Sequence, residues 1–418
     1  MKEIKIEIKI YPASNGESIM IKCEGKNQTN ILVDCGYIST YKHIRNDLIK
    51  LKKHNQKIDL FILTHIDNDH INGARNLMSD YVNNKICEIS EIWYNDYFSI
   101  YNIENNNEEM CKTEFNLFKL LKDDEYPFDP NEIGEKNISF KSANILADYL
   151  QKDVIKDRLN KSFENAVFID DKSKMKKVII NDEVEIIVLG PTKEVLLELL
   201  NSWRNYLINI GFKKEIAKSE ELAKAFELFY INKMEELQEE SYFDKECSTR
   251  SKEEEIKDYL EFDIKDKKIE NRSSISFILK FYDKNLLFLG DSSPIDYEEA
   301  LNFALKNEKR DFELVKVSHH GSKYNTSKKL FEMIASKRYV ISTNGSVFDH
   351  PDLEAIAKIA IKQEYEKEFY FNYRIPKVEE FFNVYNLQND TCRVNYGNDN
   401  LLDENIQCIE IKGENYEL

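Results

Sequence analysis

From Ile4 to Ile10 apolar and charged residues alternate without a break, the period-two pattern of a strand with one buried face. Residues 18–22 (SIMIK) and 31–34 (ILVD) are further β-rich runs. The turns Ser14-Asn15-Gly16 and Gly25-Lys26-Asn27 separate them, so the start of the chain reads as an antiparallel sheet. Residues 41–53 switch to helical spacing. A short apolar run at 58–63 then stops abruptly in a polar cluster, as a buried strand delivering residues to a site would, and 86–94 is another strand candidate.

Residues 100 to about 163 change character: Asn, Glu and Lys dominate, and 142–160 has helical periodicity. A strand pair is expected at 177–180 and 184–189 with Asn181-Asp182 as its turn. Charged helical sequence runs from 193 to about 266. Strand character returns at 274–281, 286–289, 314–317 and 338–342, then a helix at 353–364 and a strand at 368–372. The reading is one layered α/β sandwich: a core of 1–98, 164–192 and 271–375, helical insertions at 99–163 and 193–270, and a C-terminal extension at 376–418. Two or three independent domains are the alternative.

Composition narrows the function classes. The 418 residues are 42% hydrophobic, ample for a large core. No apolar run reaches the roughly 18 residues of a membrane span, and the first residues lack the apolar centre of a signal peptide. Seven scattered cysteines without a CxxC pair point to reduced thiols, hence a cytoplasmic location. Acidic residues exceed basic ones, 76 against 59, for a net charge of −17, which disfavours a passive DNA-coating protein. The Asn/Lys/Ile/Tyr-heavy composition suggests an AT-rich bacterial genome.

Histidine carries the chemical signal. Five of the seven (His65, His70, His319, His320, His350) lie in Asp/Gly/His-rich turns directly after apolar runs, the way rigid strands present metal ligands. The densest element is His65-Ile66-Asp67-Asn68-Asp69-His70, four potential ligands within six residues. Its alternative role is a polar loop with Asp69 capping the next helix. Asp34 reads as an acceptor orienting a ligand loop, Asp291 as a carboxylate at a strand end, and Cys35 as a small core residue. Lys316, Lys323, Lys328, Lys329, Lys337 and Arg338 flank the His319–Ser322 loop and would form a positive rim for phosphates, or an ordinary solvated face.

The segment at 65–70 resembles the His-x-His-x-Asp-His loop of the metallo-β-lactamase fold, with Asp67 in place of the second histidine. The His-x-Asp-x-Asp-His variant resembles the nuclease-like domain of the competence proteins ComEC/Rec2. Residues 16–21, 31–36, 188–192, 271–277, 286–291, 315–322 and 343–351 agree in order. The resemblance implies a four-layer αββα sandwich with helical insertions. It implies metal ligands at His65, Asp67, Asp69, His70, Asp291 and His320, with His319 as the competing assignment for the last. No histidine lies between His70 and His319, so the family's middle ligand has no clear counterpart; water or a residue near Asn271–Ser273 would fill its place, or a single ion would bind tightly.

Three carboxylates among the donors make a harder set than an all-histidine zinc site, so one or two divalent ions, Zn²⁺ or Mn²⁺, are expected. Two such ions about 3.5–4 Å apart can activate a bound hydroxide and neutralise a phosphoryl oxygen. The leading reading is therefore a metal-dependent phosphodiesterase or nuclease acting on DNA, RNA or nucleotides. Asp69 and Asp291 would position the hydroxide, and His350 would serve the leaving group. An ester, thioester, lactone or β-lactam hydrolase is the second reading. A non-catalytic metal-binding or defence-system partner, docking or self-associating through the helical insertions, is the third.

Overall fold

The computed structural model describes residues 4–104, 145–209, 220, 222–230, 251–306, 310–362, 365–387, 392–397 and 405–413. The helical character expected of 105–144 and 231–250 lies outside them. The alternating start of the chain forms β1 (Lys5–Ile10), β2 (Ile19–Glu24) and β3 (Gln28–Val33), which are antiparallel. Strands β4 (Leu60–Ile62) and β5 (Ile92–Trp93) add parallel to β3, and β16 (Gln407–Lys412) pairs antiparallel with β1. The six-stranded order is β16-β1-β2-β3-β4-β5.

A second sheet holds β6 (Lys176–Ile179), β7 (Val184–Gly190), β8 (Ser276–Phe281), β9 (Lys284–Phe288), β11 (Leu314–Lys316), β13 (Arg338–Ile341), β14 (Lys367–Phe371) and β15 (Cys392–Tyr396). Its order is β15-β14-β13-β11-β9-β8-β7-β6, antiparallel from β6 to β9 and parallel from β9 to β15. Strands β10 (Arg310–Phe312) and β12 (Ile334–Ser336) form a separate parallel pair.

Alternation decides which side each residue serves. Ile19, Ile21, Cys23, Ile31, Val33, Leu60 and Ile62 enter one core together with residues of β7, β8, β9, β11, β13 and β14. The intervening Met20, Leu32 and Phe61 enter the other core, shared with α1 (Ile38–Lys53), α2 (Asn68–Val82) and the Lys193–Asn209 helix. Each such side chain contributes about 1.5–3 kcal/mol by burial, so a one-residue slip in any of these strands would be severely destabilising. Helices Pro294–Ala304, Leu353–Lys362 and Pro376–Val384 place Leu301, Ile356 and Phe381 in the core that contains the second sheet.

Several expectations change. The run 86–94 yields the two-residue β5 and isolated bridges of Ile89 to Ile58 and of Ile92 to Leu159. Among the described residues 145–160 the helices are short turns, Ala147–Leu150 and Asp153–Lys156. The Pro294–Ala304 helix was not anticipated; Ser293 caps it through Ile295 N–H and Pro294 opens it. Beyond residue 372, where sequence patterning indicates no further element, a helix and the edge strands β15 and β16 follow. Among the described residues no helix is long and apolar enough to cross a membrane.

Candidate metal centre

Three loops build the site, one from the first sheet and two from the second. Strand β4 ends at Ile62, and α2 begins at Asn68 with Asp67 as its N-cap. The Asp67 carbonyl accepts from His70 N–H and Ile71 N–H at 3.0 and 3.1 Å, but its side chain makes no capping bond. The carboxylate is thereby left to the site, and Asp69 lies in the first turn, where the helix dipole favours an anion. Gly16 abuts this turn so closely that a Cβ there would lie 2.1 Å from the Asp69 carbonyl oxygen.

The other two loops follow neighbouring parallel strands. Strand β9 leads to Asp291 and β11 to His319 and His320, so their pairing sets the three residues together. His319 N–H donates to the Gly290 carbonyl at 3.0 Å. Both histidines are left-handed, with φ of 47° and 53°, as is Asp34 at 56°. Strained backbone of this kind clusters where a site over-determines the chain.

Four imidazoles converge on one carboxylate oxygen. Nε2 of His70, His320, His319 and His65 lies 3.4, 3.6, 3.7 and 3.8 Å from Asp291 Oδ2. His320 Nε2 also faces Asp69 Oδ2 at 3.5 Å, and His65 Nε2 faces Asp67 Oδ2 at 3.5 Å. His65, His70 and Asp291 form one group of donors close enough to share an ion, and Asp69, His70 and His320 form another.

The opposite ring nitrogens fix the orientation. His70 Nδ1 meets Asp34 Oδ2 at 2.8 Å and His320 Nδ1 meets the Ser342 carbonyl at 2.8 Å. Both partners only accept, so each Nδ1 carries a proton and each Nε2 is the nitrogen turned to the site. The Thr64 hydroxyl donates to Asp34 at 2.8 Å, leaving its oxygen to accept from His65 Nδ1 at 3.0 Å. Asp34 thus acts by holding His70 and, through Thr64, His65, the arrangement that fixes metal-binding histidines.

The Nε2 atoms of His65, His70 and His320 and Oδ1 of Asp67 and Asp291 are buried without a hydrogen-bond partner. Such groups are rare unless something satisfies them, and a divalent cation accepts these nitrogen and carboxylate donors. The residues therefore fit a metal. Electrostatics agrees. Burial works to raise the Asp291 carboxyl, but the imidazoles of His70, His319 and His320 hold it well below the usual carboxylate range. Against the same opposition from burial, His70 and His320 bring Asp69 down to about 2. Burial alone would lower His70; the carboxylates of Asp291, Asp34 and Asp69 outweigh it and raise it well above its ordinary value. A field that holds protons this firmly also holds metal cations.

His350 stands apart from the converging Nε2 atoms, its ring 5.2 Å from that of His319 and its Nδ1 3.4 Å from Asp352 Oδ2. Burial lowers its pKa, opposed by Asp352. Asp67 touches His65 but joins neither donor group.

The expected basic rim changes in character. Lys316 is fully buried in an ion pair with Glu17, while Lys323, Lys328, Lys329 and Arg338 are engaged by Glu354, Glu261, Glu298 and Glu313. Lys337 is exposed. Sequence reasoning missed Asp266, Asn325 and Asn15. Asn15 Nδ2 donates to Asp69 Oδ2 at 3.2 Å, and Asn325 accepts from His319 Nδ1 at 3.0 Å. Asp266 Oδ2 accepts from the amides of Asn271 and Asn325 at 2.6 and 3.1 Å. Only the Ser14-Asn15-Gly16 turn carried a signal, and it reads as a plain turn.

The segment carrying β2 to β5 and the His65–His70 loop has a family counterpart. Residues 13–95 match the metallo-beta-lactamase superfamily. The metallo-beta-lactamase match takes in His65, Asp67, Asp69 and His70, whereas Asp291, His319, His320 and His350 lie beyond it. That Asp291 and His320 nonetheless close on His70 and Asp69 of the matched loop joins both halves of the described structure into one centre. A comparison with curated proteins finds no match to the chain.

Proposed function

We propose that the protein is a metal-dependent hydrolase acting on phosphodiesters, in nucleic acids or nucleotides. The observation that carries this reading is the convergence of His65, His70, His320 and Asp69 about Asp291, with unpartnered lone pairs facing one another. His65, Asp67, Asp69, His70, Asp291 and His320 would hold the metal. Zn²⁺ or Mn²⁺, when bound, supplies Lewis acidity and lowers the pKa of water. Three carboxylates suit a harder ion and a substrate whose charge the ions must offset. Asp69 and Asp291 would position the attacking water, Asn15 and Asp34 would keep Asp69 and His70 in place, and His350 would serve the leaving oxygen.

The shared core between the sheets, with helices packed in both cores, supports a four-layer αββα sandwich as one domain with helical insertions at 99–163 and 193–270. The His-x-Asp-x-Asp-His spelling supports the ComEC/Rec2-type branch. Cys23, Cys35, Cys87 and Cys392, all buried and in no disulfide, are in keeping with a cytoplasmic location.

The deciding experiment is hydrolysis of bis(p-nitrophenyl) phosphate with Zn²⁺ or Mn²⁺, beside Asp69→Asn. Metal-dependent turnover lost in the variant is expected. Turnover unchanged by Asp69→Asn in a protein of normal metal content would refute the mechanism. Bound metal without turnover would move the substrate class to carboxylic esters or thioesters.

A further inference from the structure

The donor set has a gap in sequence, since no histidine lies between His70 and His319. Resting on the metal-centre reading above, we infer that His319 and His320 both donate an imidazole nitrogen to the centre, beside Asp291. They are not alternatives for a single position, and the tandem pair fills the gap.

Backbone geometry makes this possible. In a strand, successive side chains point to opposite faces, so adjacent residues could not serve one site. Here both residues are left-handed, within a short turn at His319–Gly321. Both rings reach the same oxygen, His320 Nε2 at 3.6 Å and His319 Nε2 at 3.7 Å from Asp291 Oδ2.

His319 is also prepared as a ligand. Its Nδ1 lies 3.0 Å from Asn325 Oδ1. The orientation of that amide is fixed, because Asn325 Nδ2 donates to the Asp291 carbonyl at 3.0 Å and to Asp266 at 3.1 Å, partners that only accept. Asn325 Oδ1 therefore accepts, Nδ1 of His319 carries a proton, and Nε2 is the nitrogen left to face Asp291. His65, His70 and His320 have the same arrangement, each Nδ1 donating to an oxygen. Asn271 Nδ2 approaches His319 Nδ1 at 3.4 Å, but its shorter bond goes to Asp266. The His319 side chain is 12% exposed whereas those of His65 and His70 are fully buried, so His319 lies on the open side of the centre. The rival donor for the gap is Asn271, whose Oδ1 is buried without a partner.

Two measurements on the full chain test this. In the Co²⁺-loaded protein, each histidine bound through Nε2 gives one exchangeable, hyperfine-shifted Nδ1–H proton signal; four are expected, and loss of one in His319→Gln assigns it. Three signals in the wild type, all retained in His319→Gln, would overturn the inference. Isothermal titration with Zn²⁺ or Mn²⁺ should show one binding event lost or weakened at least about tenfold in His319→Ala and His319→Gln, and unchanged in Asn271→Ala. Wild-type stoichiometry and affinity in both His319 variants would overturn the inference while leaving the metal centre standing. The same holds if the loss appears in Asn271→Ala alone. A wild type that takes up none of these ions sinks the metal-centre reading and this inference together.

Discussion

Glu17 and Lys316 meet as a buried ion pair between the loop preceding β2 and the end of β11, and so link the two sheets beside the strand that delivers Asp291. Lys316 Nζ also lies 3.4 Å from the Gly290 carbonyl. Removing one partner leaves a buried charge with no counterion. Lys316→Met should therefore destabilise by about 3–5 kcal/mol, whereas Glu17→Met combined with Lys316→Met should recover most of that loss. Urea denaturation of the two single variants and the double completes the cycle. Strictly additive losses would show that the pair is not coupled.

Asp34 touches the centre only through the groups it holds. Asp34→Ala frees His70 Nδ1 and leaves the Thr64 N–H, bonded to Asp34 at 2.8 Å, without its acceptor. Metal affinity should fall roughly 10–100-fold, measured by titration calorimetry, with a stability cost of about 1–3 kcal/mol. Unchanged affinity would mean that His70 keeps its aim without this support.

Metal should act on stability as well as chemistry. A ligand bound only by the folded state stabilises by about 2.7 kcal/mol at one hundred times its dissociation constant. Adding Zn²⁺ or Mn²⁺ should raise Tm, a chelator should reverse the rise, and Asp291→Ala should abolish the response, since four imidazoles face that one carboxylate. A Tm that ignores both metal and chelator in the wild type counts against the centre.

Glu227, far from these loops in sequence, offers a pH test. Burial pushes its carboxyl up to about 7, although the backbone N–H groups of Ala147 and Leu146 pull the other way. A raised folded-state value means the folded state holds the proton more tightly than the unfolded chain, whose value is near the ordinary 4.5. The contribution is complete below about 4.5 and lost as pH rises through about 7. Relative to Glu227→Gln, wild-type stability should drop by on the order of 3 kcal/mol across that window. Parallel stability–pH curves for the two proteins would rule it out.

Much of this was legible in the residues. Strict alternation gave β1, and β-rich apolar runs gave β2 and β3, whose alternate residues enter the two cores. The density of His65, Asp67, Asp69 and His70 marked the site. What stayed hidden depends on distant neighbours. Lys316 sits between Val315 and Val317 and reads as a solvent-facing lysine; only the arrival of Glu17 from the other sheet makes it a core residue. Asp266 closes a charged helical stretch and looks like surface, yet it lies 3.8 Å from His319 Nδ1. Adjacent side chains on a strand diverge, and it is the left-handed backbone of His319 and His320, not written in the residues, that lets both reach Asp291.

The pairing of β16 with β1 makes this a slow sheet to finish. Residues 5–10 must find residues 407–412, so the pairing closes a loop spanning nearly the whole sequence, and contacts of such separation slow folding. During synthesis β1 waits as an open edge with Ile6, Ile8 and Ile10 beside it, a template for pairing with other chains. Shortened chains that end before Gln407 would carry that edge permanently, and their characteristic failure would be aggregation, even with every residue of the centre in place.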